Sequence, residues 1–288
     1  MNDLAYEPMS VGEILDRSFI LYRRHFARFL AIVAIIHVPM GLIGLLALAQ
    51  LVGNLMRVTA SGDLEMSPDH ADPGAVFAFS GATMAASSLV TAIQGLCQAA
   101  LVHSVSEAYL GREASVRAAY RFVLPRTGWV ILAALISSLA YGFGLCFCLV
   151  PGLFVYILFS LVMPVLVIEG LNAFESIGRS ARFVTGNFGK ATSVAGAAGL
   201  IYWVIVLFFS GLARLGAYLV HETSGLAAMV VNQIVTMLGP LLATPVVAVP
   251  TILFYYDLRI RREGFDLETS LDTLERERGG APAGLRPA

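Results

Sequence analysis

His103 and Glu107 stand four residues apart in an apolar run, which makes them neighbours on one helix face. An imidazole beside a carboxylate inside a membrane can pass a proton or hold a cation. The same pair can equally make interhelical hydrogen bonds, with Glu107 at the membrane interface, and this plainer role is the expected one. The other polar residues of the apolar runs are His37, Gln94, Gln98, Asn232 and Gln233. A metal centre is not expected. No His-Glu-x-x-His is present, and His25, His70 and His221 lie in separate polar regions.

Nucleophilic catalysis finds no support either. Ser87, Ser88, Ser137 and Ser138 lie in apolar runs, where serines bond to their own helix carbonyls. No Gly-x-Ser-x-Gly occurs, and Lys190 is the sole lysine, so no Ser-Lys pair is evident. A Gly-x-x-x-x-Gly-Lys phosphate loop is also missing. Cys97, Cys146 and Cys148 match no zinc or redox spacing and read as small packing residues. The expectation is therefore a protein that is not an enzyme and has no cofactor.

The elements carrying these residues are membrane helices. Of 288 residues, 57% are hydrophobic and 14% charged, against about 25% charged in soluble domains. Six spans are expected, near residues 29–52, 80–104, 129–148, 152–168, 192–213 and 230–254, within one domain covering 1–268. The third and fourth spans share a tight break at Pro151-Gly152, and a broken or re-entrant helix fits there. Pro240, Pro245 and Pro250 recur in the sixth span as potential kinks, and Gly196 and Gly199 allow close helix approach in the fifth. Residues 269–288 read as a cytoplasmic, partly disordered tail. A secretory signal is not expected, because a long mixed segment precedes the first apolar run.

Seventeen of the nineteen basic residues fall in four polar gaps; only Arg57 and Arg214 lie elsewhere. By the positive-inside rule, both termini and the gaps after spans two and four are cytoplasmic, in a plasma-membrane protein. Net charge is −1, which gives no reason to expect a nucleic-acid partner.

The basic gaps contain structure. Val11, Ile14, Leu15, Phe19, Tyr22, Phe26 and Phe29 form one helical stripe, and Ser10 with Glu13 reads as a capping box. A helix lying in the membrane interface is the expectation, with Arg17, Arg23, Arg24 and Arg28 at the anionic headgroups. Ser115-Val116 before Arg121-Phe122, and Ser176-Ile177 before Arg182-Phe183, repeat the unit. Arg117, Arg121, Arg179 and Arg182 join the headgroup candidates. Glu107, Glu169 and Asp257 each close an even-numbered span. The chain thus reads as a three-fold repeat of interfacial helix plus helical hairpin.

The run from Ser10 to Phe26 (SVGEILDRSFILYRRHF) resembles the opening of a known family. Pro151-Gly152, Pro164, Glu169, Arg179-Ser180 and Gly186 resemble its middle, and Leu253 to Glu268 (LFYYDLRIRREGFDLE) its close. The family is the membrane domain fused to some glycerophosphodiester phosphodiesterases, which also includes stand-alone bacterial and archaeal proteins. The soluble metal-binding barrel of the fused enzymes has no counterpart here, so the activity does not carry over. The resemblance implies a membrane module that anchors, senses or delivers something to a membrane-protein partner, possessing lipid-facing helices. The alternative expectation is a small-solute transporter or channel subunit.

Overall fold

The chain is all-α. The computed structural model describes residues 9–61, 73–112, 115–221 and 225–263, and no strand occurs among them. The acidic loop after the first span and the expected disordered tail lie outside the described residues.

Ten α-helices follow in order among the described residues: α1 (Val11–Arg24), α2 (Phe26–Ser61), α3 (Pro73–Tyr109), α4 (Val116–Val123), α5 (Thr127–Phe147), α6 (Leu149–Leu158), α7 (Val162–Glu169), α8 (Ala173–Thr185), α9 (Phe188–His221) and α10 (Gly225–Glu263), with a 3-10 turn over Leu124–Arg126. Six stretches are long and apolar enough to cross a membrane, counting α6 and α7 as one. The helices overrun the expected spans. At 1.5 Å per residue, α2, α3, α9 and α10 are each about 50–60 Å long, against a hydrocarbon core of about 30 Å.

Three hairpins result: α2–α3, α5–α6/α7 and α9–α10. Their second arms, α3, α7 and α10, touch one another and form the inner ring. Each first arm packs on its own second arm and on that of the preceding hairpin: α2 on α10, α5 on α3, α9 on α6. The short helices α1, α4 and α8 are caps. Each sits on both arms of the hairpin before it: α1 on α9 and α10, α4 on α2 and α3, α8 on α5 and the α6/α7 arm. The three-fold repeat read from the sequence is therefore a closed ring, with the first cap seated on the last hairpin.

Local chemistry explains the caps. Ser10 and Asn172 each form a full capping box, with Glu13 and Glu175, and Ser115 accepts from the Ala118 amide. Capping by the Ser10 backbone and side chain holds the Glu13 carboxyl below its usual range. The third cap thus begins at Asn172, not at Ser176. Ser176 is buried within α8 and its hydroxyl donates to the Asn172 carbonyl at 2.7 Å. Counted from the caps, the repeat aligns Ile14, Ala119 and Ser176 four residues on, and Ser18, Val123 and Ser180 eight residues on. All six are buried.

Part of the helical stripe of α1 faces the protein. Ile14 is fully buried and Val11 and Tyr22 pack on the core, with Leu21 beside them, while Phe19 and Phe26 of the same stripe are exposed. Met9 meets Asp257 and Tyr22 meets the Leu242 carbonyl. Those contacts are thirteen residues apart on one strand of the pairing and fifteen on the other, so α1 runs antiparallel along α10. It does not float in the interface on its apolar stripe.

The turn between α5 and α6 is at Cys148, which has extended backbone, and not at Pro151-Gly152. Pro151 falls in the first turn of α6, where a missing N–H costs nothing. Cys148 is exposed, so only Cys97, which is buried, acts as a packing residue among the two cysteines described. Gly144 lies against Gly152; a Cβ there would stand 2.9 Å from the Gly152 Cα. Gly196 and Gly199, expected at a close helix approach, face open space.

The fourth span is itself broken, between Leu158 and Val162. The carbonyls freed by the break need partners in a membrane. Ser160 donates to the Ile157 carbonyl at 2.8 Å, and Ser180 on α8 donates to the Leu158 carbonyl at 2.6 Å. Gly170, with φ of 72°, then ends α7 in the left-handed conformation and starts the reversal into α8.

Candidate functional site

The three acids that close the inner helices all lie at one end of the bundle, the end that carries the basic caps. Each holds the cap resting on its own hairpin. Glu107 on α3 pairs with Arg112, which leads into α4, at 3.8 Å. Glu169 at the end of α7 pairs with Arg179 on α8. Asp257 on α10 accepts from the Met9 amide, the residue before the Ser10 cap, at 2.7 Å.

Asp257 is fully buried, and its surroundings show how a buried charge is tolerated. Lys190 Nζ donates to Oδ2 at 2.6 Å, and Arg261 Nε reaches both carboxylate oxygens at 3.1 Å. The Met9 carbonyl accepts from Lys190 and from Arg261. Both polar groups of one backbone residue are thus fixed by three side chains from α9 and α10. The two residues before Asp257 reach the other hairpins. Tyr255 donates to Glu169 at 2.9 Å, and the Tyr256 hydroxyl lies 2.5 Å from that of Ser106 on α3.

Where α3, α4, α7 and α10 converge, a cavity of about 240 Å³ remains. His103, Ser106 and Glu107 form one wall, Tyr256 and Arg259 another. Leu110, Phe122, Val167 and Ile168 supply apolar surface. The His103 ring stacks on Phe122 with centroids 4.1 Å apart and planes 6° from parallel, which fixes the orientation of its nitrogens. Glu107 and Arg259 both stand near enough to the Tyr256 hydroxyl to act on it electrostatically.

Among the polar residues picked out from sequence, His103 and Glu107 share this cavity. The rest do not join them. His37 bonds back to the Val33 carbonyl of its own helix at 3.2 Å. Gln94 and Gln98 lie exposed on α3, four residues apart. No group of three metal-binding side chains is found among the described residues.

The headgroup candidates divide. Arg23, Arg24, Arg117, Arg121 and Arg182 are exposed. Arg17 and Arg28 are half-buried, and one guanidinium nitrogen of Arg28 is buried without a hydrogen-bond partner among the described residues. Arg179 is not a rim residue: it is committed to Glu169 and lies over the Phe183 ring at 4.8 Å.

Sequence reading marked the acids but missed their partners Met9, Lys190 and Tyr255, and it missed the Tyr256–Ser106 pair beside them. The available signals were a lone lysine and an aspartate set inside an aromatic run. No family model, curated protein or solved structure matches the chain.

Proposed function

We propose that this chain is a non-enzymatic multi-pass module of the plasma membrane, with both termini in the cytoplasm, whose basic rim engages anionic lipid headgroups. Its role is that of an anchor, scaffold or accessory protein in lipid or envelope homeostasis, in keeping with the resemblance of its end motifs to the phosphodiesterase-associated membrane domain. One observation carries the reading. On each cap helix, the face turned away from the bundle pairs exposed arginine with an exposed large apolar side chain: Arg23 with Phe19 on α1, Arg117 and Arg121 with Leu124 at the end of α4, Arg182 with Phe174 on α8. An apolar residue that enters the acyl boundary beside a cation that stays with phosphate is the pattern of an interfacial helix. The buried, unpartnered nitrogen of Arg28 adds a donor that a lipid phosphate would satisfy.

The test replaces the five exposed arginines of the cap helices, Arg23, Arg24, Arg117, Arg121 and Arg182, with glutamate and measures the preference of the protein for spin-labelled phosphatidylglycerol over phosphatidylcholine in reconstituted vesicles. Each arginine near an anionic surface is worth about 1 kcal/mol, so the preference should vanish. A preference equal to that of the parent protein would overturn the reading.

A second reading, a small-solute transporter or channel subunit, is favoured by the cavity between His103, Glu107 and Arg259. Solute flux into reconstituted vesicles, lost on filling the cavity with Leu110→Trp, would favour it; sealed vesicles across a broad solute panel would count against it.

A further inference from the structure

From the cavity at the junction of the three hairpins we infer a binding site for a zwitterionic group, an ammonium and a phosphate joined by a short carbon link, as in phosphoethanolamine. The inference stands apart from the headgroup rim, because the exposed arginines of the caps do not line the cavity.

The walls carry charges of both signs. Glu107 offers a carboxylate, and its ion pair with Arg112 spans 3.8 Å, at the long end for such a contact. Arg259 lines the cavity from the facing helix, one turn beyond Tyr256, and with five N–H donors it can take a phosphate beside the partner it already has. A simple anion in this space would meet Glu107, and a simple cation would meet Arg259. A group with both charges meets a partner at each end, and the apolar surface of Leu110, Val167 and Ile168 suits the carbon link between them.

His103 supplies the third contact. Its ring is clamped flat on Phe122, so no rotamer freedom is lost when a phosphate oxygen meets it. Tyr256 is held by Ser106 and by the stacked Tyr109 ring, with centroids 4.9 Å apart. The volume of about 240 Å³ is of headgroup size. The cavity lies at the basic ends of the membrane helices, where headgroups sit, and it also fits a free solute of the same chemistry.

The full chain, in phosphatidylglycerol nanodiscs, is titrated with phosphatidylethanolamine in one arm and with free O-phosphoethanolamine in the other, and thermal unfolding is followed. A stabilising shift is expected. His103→Phe preserves the ring stack and deletes the nitrogens; Glu107→Gln removes the charge that faces the ammonium. Each should weaken the effective affinity at least tenfold, and Leu110→Trp should abolish the shift by occupying the space. Size-exclusion elution matching the parent shows that a variant is folded. A shift with the lipid alone assigns the group to the bilayer, and a shift with the free compound assigns it to a solute; both support the site. No shift in either arm, or a shift unchanged in Glu107→Gln and His103→Phe, would overturn it.

Discussion

Tyr255, Tyr256 and Asp257 are consecutive, yet their polar groups reach three different parts of the ring: Glu169, Ser106, and the Met9 backbone. Successive residues on a helix point about 100° apart, so three in a row can fan out only where the helix is surrounded. Residues 252–258 are indeed all buried, unlike any earlier stretch of α10. The two tyrosines should therefore differ in a measurable way. Tyr255→Phe deletes a hydrogen bond to a carboxylate, worth roughly 1.5–3 kcal/mol, whereas Tyr256→Phe deletes one to a neutral hydroxyl, worth about 0.5–1.5 kcal/mol. Both keep the ring and its packing. Unfolding in detergent micelles should show the larger loss for Tyr255→Phe; a larger loss for Tyr256→Phe would mean that the Glu169 contact is not built as described. At this scale the sequence was half readable. An acid closing each even span stands out against apolar neighbours. Its near partners, Arg112, Arg179 and Arg261, were within reach of the eye, but its distant ones, Tyr255 for Glu169 and Lys190 and Met9 for Asp257, lie 67 to 248 residues away and leave no local mark.

The helices were readable where their ends are made by neighbours. Ser10 with Glu13 announces α1, and the box forms. Asn172 with Glu175 announces α8 just as clearly, but the matching spacing of Ser176 and Ser115 drew the repeat four residues out of step. What resolves it is burial: Ser176 belongs to the packed face. The break in the fourth span was half readable. Pro164, in the first turn of α7, stands four residues after Ser160, and its ring and missing N–H deny that carbonyl a helical partner, so α6 does not run on into α7. What left no mark is the Ser180 hydroxyl, which arrives from α8 to hold the Leu158 carbonyl. Ser180→Ala should then cost about 0.5–1.5 kcal/mol, the net worth of one hydrogen bond, because its donor is fully buried and bridges two helices. Ser160→Ala should cost less, because its bond to Ile157 is local and the side chain is only partly buried. Thermal unfolding of the two variants separates these outcomes, and equal losses would show that Ser180 does not sustain the break.

The bundle as a whole is a ring in which every cap rests on the hairpin before it, and closure depends on the chain's two ends meeting. Sequence suggested the repeat but not the closure, since the positions that close it, Met9 and Asp257, belong to opposite termini. The three acids mark one level, and back from them the second arms run 21 residues in α6/α7 (Leu149 to Glu169), 35 in α3 (Pro73 to Glu107) and 33 in α10 (Gly225 to Asp257). The two long hairpins therefore project about 20 Å further than the short one at the end away from the acids. Each cap has one acid at the near end, beside the bonds of Tyr22 to the Leu242 carbonyl, Tyr120 to the Ile32 carbonyl and Ser180 to the Leu158 carbonyl. That division makes a test at the level of the whole molecule. Neutralising one acid should loosen the cap it holds and leave the other two in place. Asp257→Asn leaves Lys190 and Arg261 facing a buried neutral group, a loss of roughly 3–5 kcal/mol. Because 1.4 kcal/mol is about a factor of ten, amide exchange across α1 should rise by about a hundredfold or more, with α4 and α8 unchanged. Glu169→Gln should act in the same way on α8. Glu107→Gln should change α4 least, since Arg112 is half exposed and the pair is long. Hydrogen-exchange mass spectrometry in nanodiscs reads all three caps at once. A uniform rise across α1, α4 and α8 in any of the variants would mean that the ring opens as a unit and that the acids do not act one to a cap.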